Sequence, residues 1–307
     1  MKYRKMGKSG VELSVIGVGT WAYGGGNWAY SWGPQDDDES IEAIRHAVSC
    51  GVNWIDTAPV YGLGHAETVT AKALNGMRNK VLISTKCSIV WDDKNEITVN
   101  LSRDSIMREC EQSLRRLGTD HIDIYHIHNP ANDSELDGAW KAVNDLKKQG
   151  KIRFAAISNF TIAQLERLHA EFPVDTVQPP YNLLNRGIEA EILPFCRNNS
   201  IGVITYGPMA RGLLSGRFSK ERVDSLADDD HRKRDDAFKG ENLEKALALV
   251  GRMKKIASDL GITVPQIAVA WVLKNQTVTG AICGARNVSQ IDELLDAADC
   301  DIKDVEL

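Results

Sequence analysis

The chain has 307 residues, of which 43% are hydrophobic, and 37 Lys and Arg against 42 Asp and Glu give it a formal charge of −5. That length suits one large α/β barrel or two modest domains, and the lack of a basic excess argues against nucleic acid or an anionic membrane as partner. The start, MKYRKMGKSG, leads into no sustained apolar stretch, and no apolar run reaches membrane-spanning length. Six cysteines lie far apart without a C-x-x-C pair, which fits a reducing cytoplasm better than a zinc cage or a disulfide scaffold.

In chain order, a short β-branched run, a turn and a longer helix-like stretch recur along nearly the whole length. Strands are expected at 14–21, 52–56, 81–86, 122–128, 152–159, 175–178, 201–206 and 279–284. Segments such as DESIEAIRHAVSCG and RDSIMRECEQSLRRLG open on acidic residues or Ser and close near a glycine, as helices do. The strands read as continuous apolar runs, so helices should cover both sheet faces. Eight such units most simply close into a single (β/α)₈ TIM barrel over residues 1–307. The stretch 215–242 after strand seven is polar and charged, without an apolar period. It is expected to be a long, mobile, functional loop, followed by extra helices at about 241–260 and 264–275.

Two motifs point elsewhere. Gly17-Val-Gly19-Thr-Trp-Ala22 fits the G-x-G-x-x-G/A dinucleotide fingerprint, but the chain continues YGGGNWAYSWGP, which cannot supply the required helix. His126-x-His128 puts two imidazoles on one strand face, as in metal-dependent hydrolases. The other strand ends carry Asn159, Gln178 and Tyr206, which are poor zinc ligands, so no metal is expected.

In a (β/α)₈ barrel the chemistry sits where strands finish. Here the second strand ends at Asp56 with Tyr61 just beyond, the third at Lys86, the fourth at His128, the fifth at Ser158-Asn159, the sixth at Gln178 and the seventh at Tyr206. Any one of these has an ordinary structural use as a cap, a rim charge or a packing ring. Their convergence on one partly dry mouth is harder to explain that way. A phenol titrates near pH ~10, so a tyrosine moving protons near neutrality needs a positive neighbour, and Lys86 is available. Tyr61 and His128 could then grip a carbonyl oxygen as charge develops on it.

With these residues in view, NWIDTAPVYG, LISTKC, IDIYHIHNP, ISNF, VQPPYN, ITYGPMARGLLSG and ICGARN together resemble the aldo-keto reductase superfamily, over about residues 3 to 297. The branch it resembles is the bacterial one with YGPxxRGLLxG after strand seven and GAR after strand eight. The resemblance implies an NADPH-dependent oxidoreductase acting on small carbonyl compounds, with Asp56, Tyr61, Lys86 and His128 as the catalytic tetrad and Tyr61 as proton donor. It implies that Ser158, Asn159 and Gln178 hold the carboxamide, that Tyr206 stacks on the nicotinamide, and that Gly207, Pro208, Met209, Gly212, Leu214 and Gly216 run beneath the pyrophosphate, with Arg211 or Arg217 nearby. Gly284, Arg286, Gln290 and Glu293 would take the adenosine end, and Arg232 would close over the cofactor. A guanidinium fork suits a 2′-phosphate, which favours NADPH/NADP+ over NADH. Two residues depart from the family pattern at that end: Cys283, where many relatives have proline, and Leu294, where many have asparagine.

Trp21, Tyr23, Trp28, Trp32, Trp91 and Tyr181 are expected to wall a pocket for an uncharged aldehyde or hydrophobic ketone. A regulatory NADPH-binding protein on the same fold, like the potassium-channel β-subunits, is the competing expectation.

Overall fold

The computed structural model describes residues 1–302. Eight parallel strands close on themselves: β1 (Ile16–Gly19), β2 (Trp54–Asp56), β3 (Leu82–Cys87), β4 (Ile122–Ile127), β5 (Ile152–Ser158), β6 (Thr176–Gln178), β7 (Gly202–Tyr206) and β8 (Gly280–Gly284). Closure is made by β8 on β1, Ala281 lying beside Ile16 and Gly284 beside Gly19. Helices α1 (Asp37–Ser49), α2 (His65–Ala73), α3 (Arg103–Leu117), α4 (Leu136–Lys148), α5 (Ile162–Glu171), α6 (Ile192–Asn199), α7 (Lys220–Asp224), α8 (Gly240–Leu260), α9 (Val264–Lys274) and α10 (Val288–Leu295) follow the strands. Their ends are locally encoded. Thr161 with Gln164 and Thr263 with Gln266 form capping boxes on α5 and α9, and Gly118 ends α3 in the left-handed region. No single helix among the described residues is long and apolar enough to cross a membrane.

Only the outer face of the barrel is covered by helices, which corrects the expectation for the inner one. The inside is filled by Met6, Leu13, Trp54, Ile124, Ala156, Ile204 and Ile282. Met6 and Leu13 belong to an N-terminal hairpin, Tyr3–Lys5 against Glu12–Ser14, that plugs the barrel floor and that the sequence pattern did not reveal. The Trp54 indole donates to the Ser14 carbonyl at 2.8 Å. A Cβ on Gly17 would lie 2.2 Å from the Trp54 ring, and one on Gly19 would lie 2.6 Å from Ile282. The two glycines of the dinucleotide-like motif therefore serve barrel packing.

The segment 215–242 does have an apolar face, contrary to expectation. Phe218, Val223 and Phe238 are buried with Leu213, Leu243 and Ala246, beneath short turns at His231–Arg234 and Asp236–Phe238. Three apolar side chains spaced irregularly through a charged run leave no period to read. This strap crosses to the loop after β1, where the His231 backbone N–H donates to the Ser31 carbonyl at 3.0 Å and Arg234 to the Ala29 carbonyl at 2.9 Å.

Candidate active site

Asp56 ends β2 and Lys86 lies near the end of β3, and parallel pairing brings both into the barrel mouth. Lys86 Nζ donates to Asp56 Oδ2 at 2.7 Å and to the Thr57 carbonyl at 2.8 Å, with the lysine fully buried. The other Asp56 oxygen, Oδ1, accepts from Ser84 Oγ at 2.8 Å and from Gln178 Nε2 at 2.7 Å. Ser84 also meets His126 Nε2 at 3.1 Å. A buried ion pair with its remaining lone pairs satisfied is the arrangement in which mutual attraction offsets desolvation. Tyr61, in the turn after β2, lies with its ring centroid 5.1 Å from Lys86 Nζ and 6.0 Å from the edge-on His128 ring. The four expected catalytic residues are thus brought together.

Burial pushes the Tyr61 phenol well above 10, and Asp56 and Tyr206 add in the same direction. Lys86 lies below its ordinary 10.5 because of burial, opposed by Asp56. Burial, then Lys86, then His126 hold His128 well below 6.5, and His126 is shifted likewise by burial and Lys86. At neutral pH the centre therefore contains a protonated phenol and neutral imidazoles. The net direction for Tyr61 is upward because burial and the Asp56 charge outweigh whatever the neighbouring Lys86 ammonium contributes to favour the phenolate.

Above the phenol, Trp21 stacks at 5.5 Å, and Trp28 lies 6.3 Å away. Trp32 and the strap residue His231 lie 5.8 Å and 5.6 Å from Trp21, both roughly parallel to it. The loop holding Trp21 is seated by a glycine crossing: a Cβ on Gly24 would stand 2.6 Å from the Gly62 nitrogen. Three expected wall residues are not part of this cluster. Tyr23 is buried in the core between barrel and helices. The Tyr181 ring packs on Trp271 at 5.0 Å and its hydroxyl donates to Glu189, because the chain after β6 turns it toward α9. Trp91 sits on an unforeseen hairpin, Ile89–Trp91 against Ile97–Val99, and lines an outer groove with Pro59, Arg108 and Gln112.

The opposite half of the mouth carries the groups expected to meet a cofactor. Asn159, at φ +67°, donates to the His128 carbonyl at 2.9 Å and accepts from the Tyr206 hydroxyl at 2.7 Å. Ser158 Oγ donates to the Gln178 carbonyl at 2.9 Å. After β7, Gly207, Ala210, Arg211, Gly212 and Gly216 all have positive φ, and nothing lies within 4 Å of a Cβ built on Gly207. Such a backbone run with open space beside it is the concavity that receives phosphate oxygens. Pro208 and Leu214 are buried and Met209 is half-buried, Leu214 packing against Leu249 and Met253, so its contribution there is backbone only. Arg211 pairs with Asp235, and Arg217 with Glu293 at 2.7 Å.

Arg286, beyond the exposed Gly284, donates to the carbonyls of Trp32 at 2.5 Å and Pro34 at 3.2 Å, and its backbone N–H donates to Gln290 Oε1. Arg232 is held by Asp230 and lies 4.9 Å over the Trp32 ring. Buried Thr20 Oγ1, Thr57 Oγ1, Trp32 Nε1 and His231 Nδ1, at strand ends and loops around the mouth, lack a hydrogen-bond partner. These donors, the open backbone run and the unpartnered polar atoms fit a nicotinamide dinucleotide.

Some participants went unrecognised in the sequence. Ser84 was within reach, since period two along β3 places it on the inward face with Lys86. Glu109 was too: it falls in the buried stripe of α3 with Ile106, Cys110 and Ser113, and it accepts from the Ser88 backbone N–H and from Ser105 Oγ, both at 2.9 Å. His231 stood in a run of charges that gave no such signal.

The aldo/keto reductase family profile matches residues 15–307. The chain is 37% identical to aldo-keto reductase YhdN of Bacillus subtilis (strain 168), over 96% of this chain and 88% of that protein. It is 33% identical to the NADH-specific methylglyoxal reductase of Escherichia coli (strain K12), over 100% and 96%. Among solved structures, a glycerol dehydrogenase from Gluconobacter oxydans superposes with a TM-score of 0.87 at 36% identity, covering 98% of this chain and 91% of that one. Barrel, strand-end constellation and these likenesses agree: the chain belongs to the aldo/keto reductase family, which generally uses a nicotinamide cofactor.

Proposed function

We propose that this protein reduces uncharged aldehydes or ketones to alcohols with NADPH, and that Tyr61 delivers the proton. The observation that carries the reading is the Tyr61 phenol held beside the buried Lys86–Asp56 pair and His128. Ser158, Asn159 and Gln178 would hold the carboxamide, Tyr206 the ring, the 207–216 backbone the pyrophosphate, and Gly284, Arg286, Gln290, Glu293 and Arg232 the adenosine end. When bound, the reduced nicotinamide supplies a hydride to the carbonyl carbon. The Tyr61 hydroxyl and His128 then donate to the carbonyl oxygen, and the phenol gives up its proton as negative charge develops there. Lys86 stabilises the phenolate left behind, while Asp56 keeps the ammonium in place. Trp21, stacked on Tyr61, keeps water from the reacting oxygen.

The preference for NADPH rests on two guanidiniums. Arg286 lies below its ordinary pKa through burial and then through Arg232, opposed by Asp230, so a 2′-phosphate beside Arg286 would offset the repulsion it feels. The competing reading, a regulatory NADPH binder with little turnover, draws support from the aromatic rings stacked over Tyr61. Following NADPH and NADH oxidation with a simple test aldehyde separates these readings. Turnover that is faster with NADPH is expected. Cofactor binding without turnover favours the regulatory reading, and equal use of both cofactors removes the role given to Arg286.

A further inference from the structure

Away from the barrel mouth, the C-terminal end of α1 and the middle of α10 bring three metal-ligating side chains together. Cys50 caps α1, its backbone N–H donating to the His46 carbonyl, so the spacing of four puts thiol and imidazole on one helix face. Asp292 reaches them from α10. His46 Nε2 lies 2.6 Å from Asp292 Oδ1 and 3.6 Å from Cys50 Sγ, and all three ligand atoms lie within 4.8 Å of one another.

A surface ion pair accounts for the first contact but not for convergence on a single nitrogen. The protein's other His–carboxylate pairs make the contrast. His121 meets Asp120 and Asp123 through different ring nitrogens, which cannot both face one ion, and the Asp37 partner of His65 is shared with the Lys72 ammonium. Only at His46 do a third and softer ligand and a common vertex occur together among the described residues.

The distances suit a tetrahedral ion. Zinc with Zn–S of about 2.3 Å and Zn–N of about 2.0 Å holds sulfur and nitrogen about 3.5 Å apart, close to the 3.6 Å seen here. The nitrogen–oxygen separation of 2.6 Å must widen to about 3.3 Å, a small adjustment because Asp292 and Cys50 are exposed. A thiolate, an imidazole and a carboxylate select a borderline-soft cation over magnesium or calcium.

We propose that His46, Cys50 and Asp292 bind one zinc ion on the outside of the barrel, with water as fourth ligand, clamping α1 to α10. The clamp bears on the segment that supports Arg286, since α10 also carries Gln290, which accepts from the Arg286 N–H, and Glu293, which pairs with Arg217.

The test uses the full chain carrying Cys300→Ser, which removes the half-exposed thiol and leaves Cys50 as the exposed one. Zinc chloride is titrated while alkylation of Cys50 is followed, and cobalt chloride is added separately to read thiolate-to-metal charge transfer. Expected are one equivalent of zinc, Cys50 alkylation slowed about ten-fold or more, and a charge-transfer band that disappears in Cys50→Ser. His46→Ala and Asp292→Ala should each weaken the protection while leaving the fold intact by circular dichroism. Unchanged alkylation in excess zinc would overturn the proposal, as would undiminished zinc stoichiometry in a His46→Ala, Cys50→Ser double variant.

Discussion

The floor and the roof of the barrel mouth are held by different physics. On the floor, Asp56, Ser84, Lys86, His126 and Gln178 are buried on barrel strands and bond mainly to one another. On the roof, Trp21, Trp32, His231, Arg232 and Arg286 belong to loops: the rings are held by stacking, Arg286 by bonds to backbone carbonyls that a ligand can replace, and Arg232 by its ion pair with Asp230. A buried network resists exchange because removing one member leaves a charge without its partner. Loop contacts made beside solvent open at little cost. On the proposed function, reaction chemistry is fixed in advance on the floor, and selection and release of ligands are left to the roof.

The comparison is tested most severely by Lys86→Met. Stranding Asp56 should reduce stability by about 3–5 kcal/mol and turnover by about two orders of magnitude or more. Adding Asp56→Asn should restore much of the stability, measured by denaturant titration, without restoring turnover. Recovery of both would make the pair merely structural.

Glu109 extends the floor, because it holds the Ser88 turn that joins β3 to the residue after His128 through Ser88 Oγ and Asn129. Burial raises its carboxyl from 4.5 to about 7 against the opposing bonds from Ser105 and Ser88. A raised folded pKa means that its contribution is intact below pH 4.5 and is lost as pH climbs through about 7. Melting curves should show the wild type losing stability relative to Glu109→Gln across that window. A constant difference would remove the carboxyl from the account.

For the roof, smaller effects are expected. Arg286→Ala should weaken NADPH binding about ten- to hundred-fold, the worth of a charge-assisted fork, and leave NADH nearly untouched in fluorescence titrations. An equal loss for both cofactors would mean that Arg286 only ties the loop after β1 to β8. The smallest effect is dynamic: amides of 215–242 should exchange faster than those of β3 to β5, and NADPH should slow them. No change on adding NADPH would separate the strap from cofactor binding.

The same division decides what the sequence could reveal. The floor was legible because barrel strands place their last residues at one rim, so Asp56, Lys86, His128 and Gln178 could be read as neighbours from strand ends alone. The strands themselves were recovered to within about two residues at each end, as apolar periodicity allows. Tyr181 and Trp91 were misplaced because a ring's direction after a strand depends on the following turn, which no spacing encodes. The strap's buried Phe218 and Phe238 were overlooked because charges surround them. Gly17 and Gly19 imitated a phosphate loop because close approach to an indole and close approach to a phosphate demand the same residue.

The central claim is that the Tyr61 hydroxyl supplies the proton, and Tyr61→Phe removes that hydroxyl while keeping the ring stacked under Trp21. The measurement is kcat/KM for a test aldehyde with wild type and variant, alongside NADPH affinity by fluorescence titration. A loss of about two to four orders of magnitude in kcat/KM with NADPH affinity unchanged is the predicted result. Near wild-type turnover by a folded, NADPH-binding Tyr61→Phe protein would contradict it and pass the proton-donor role to His128.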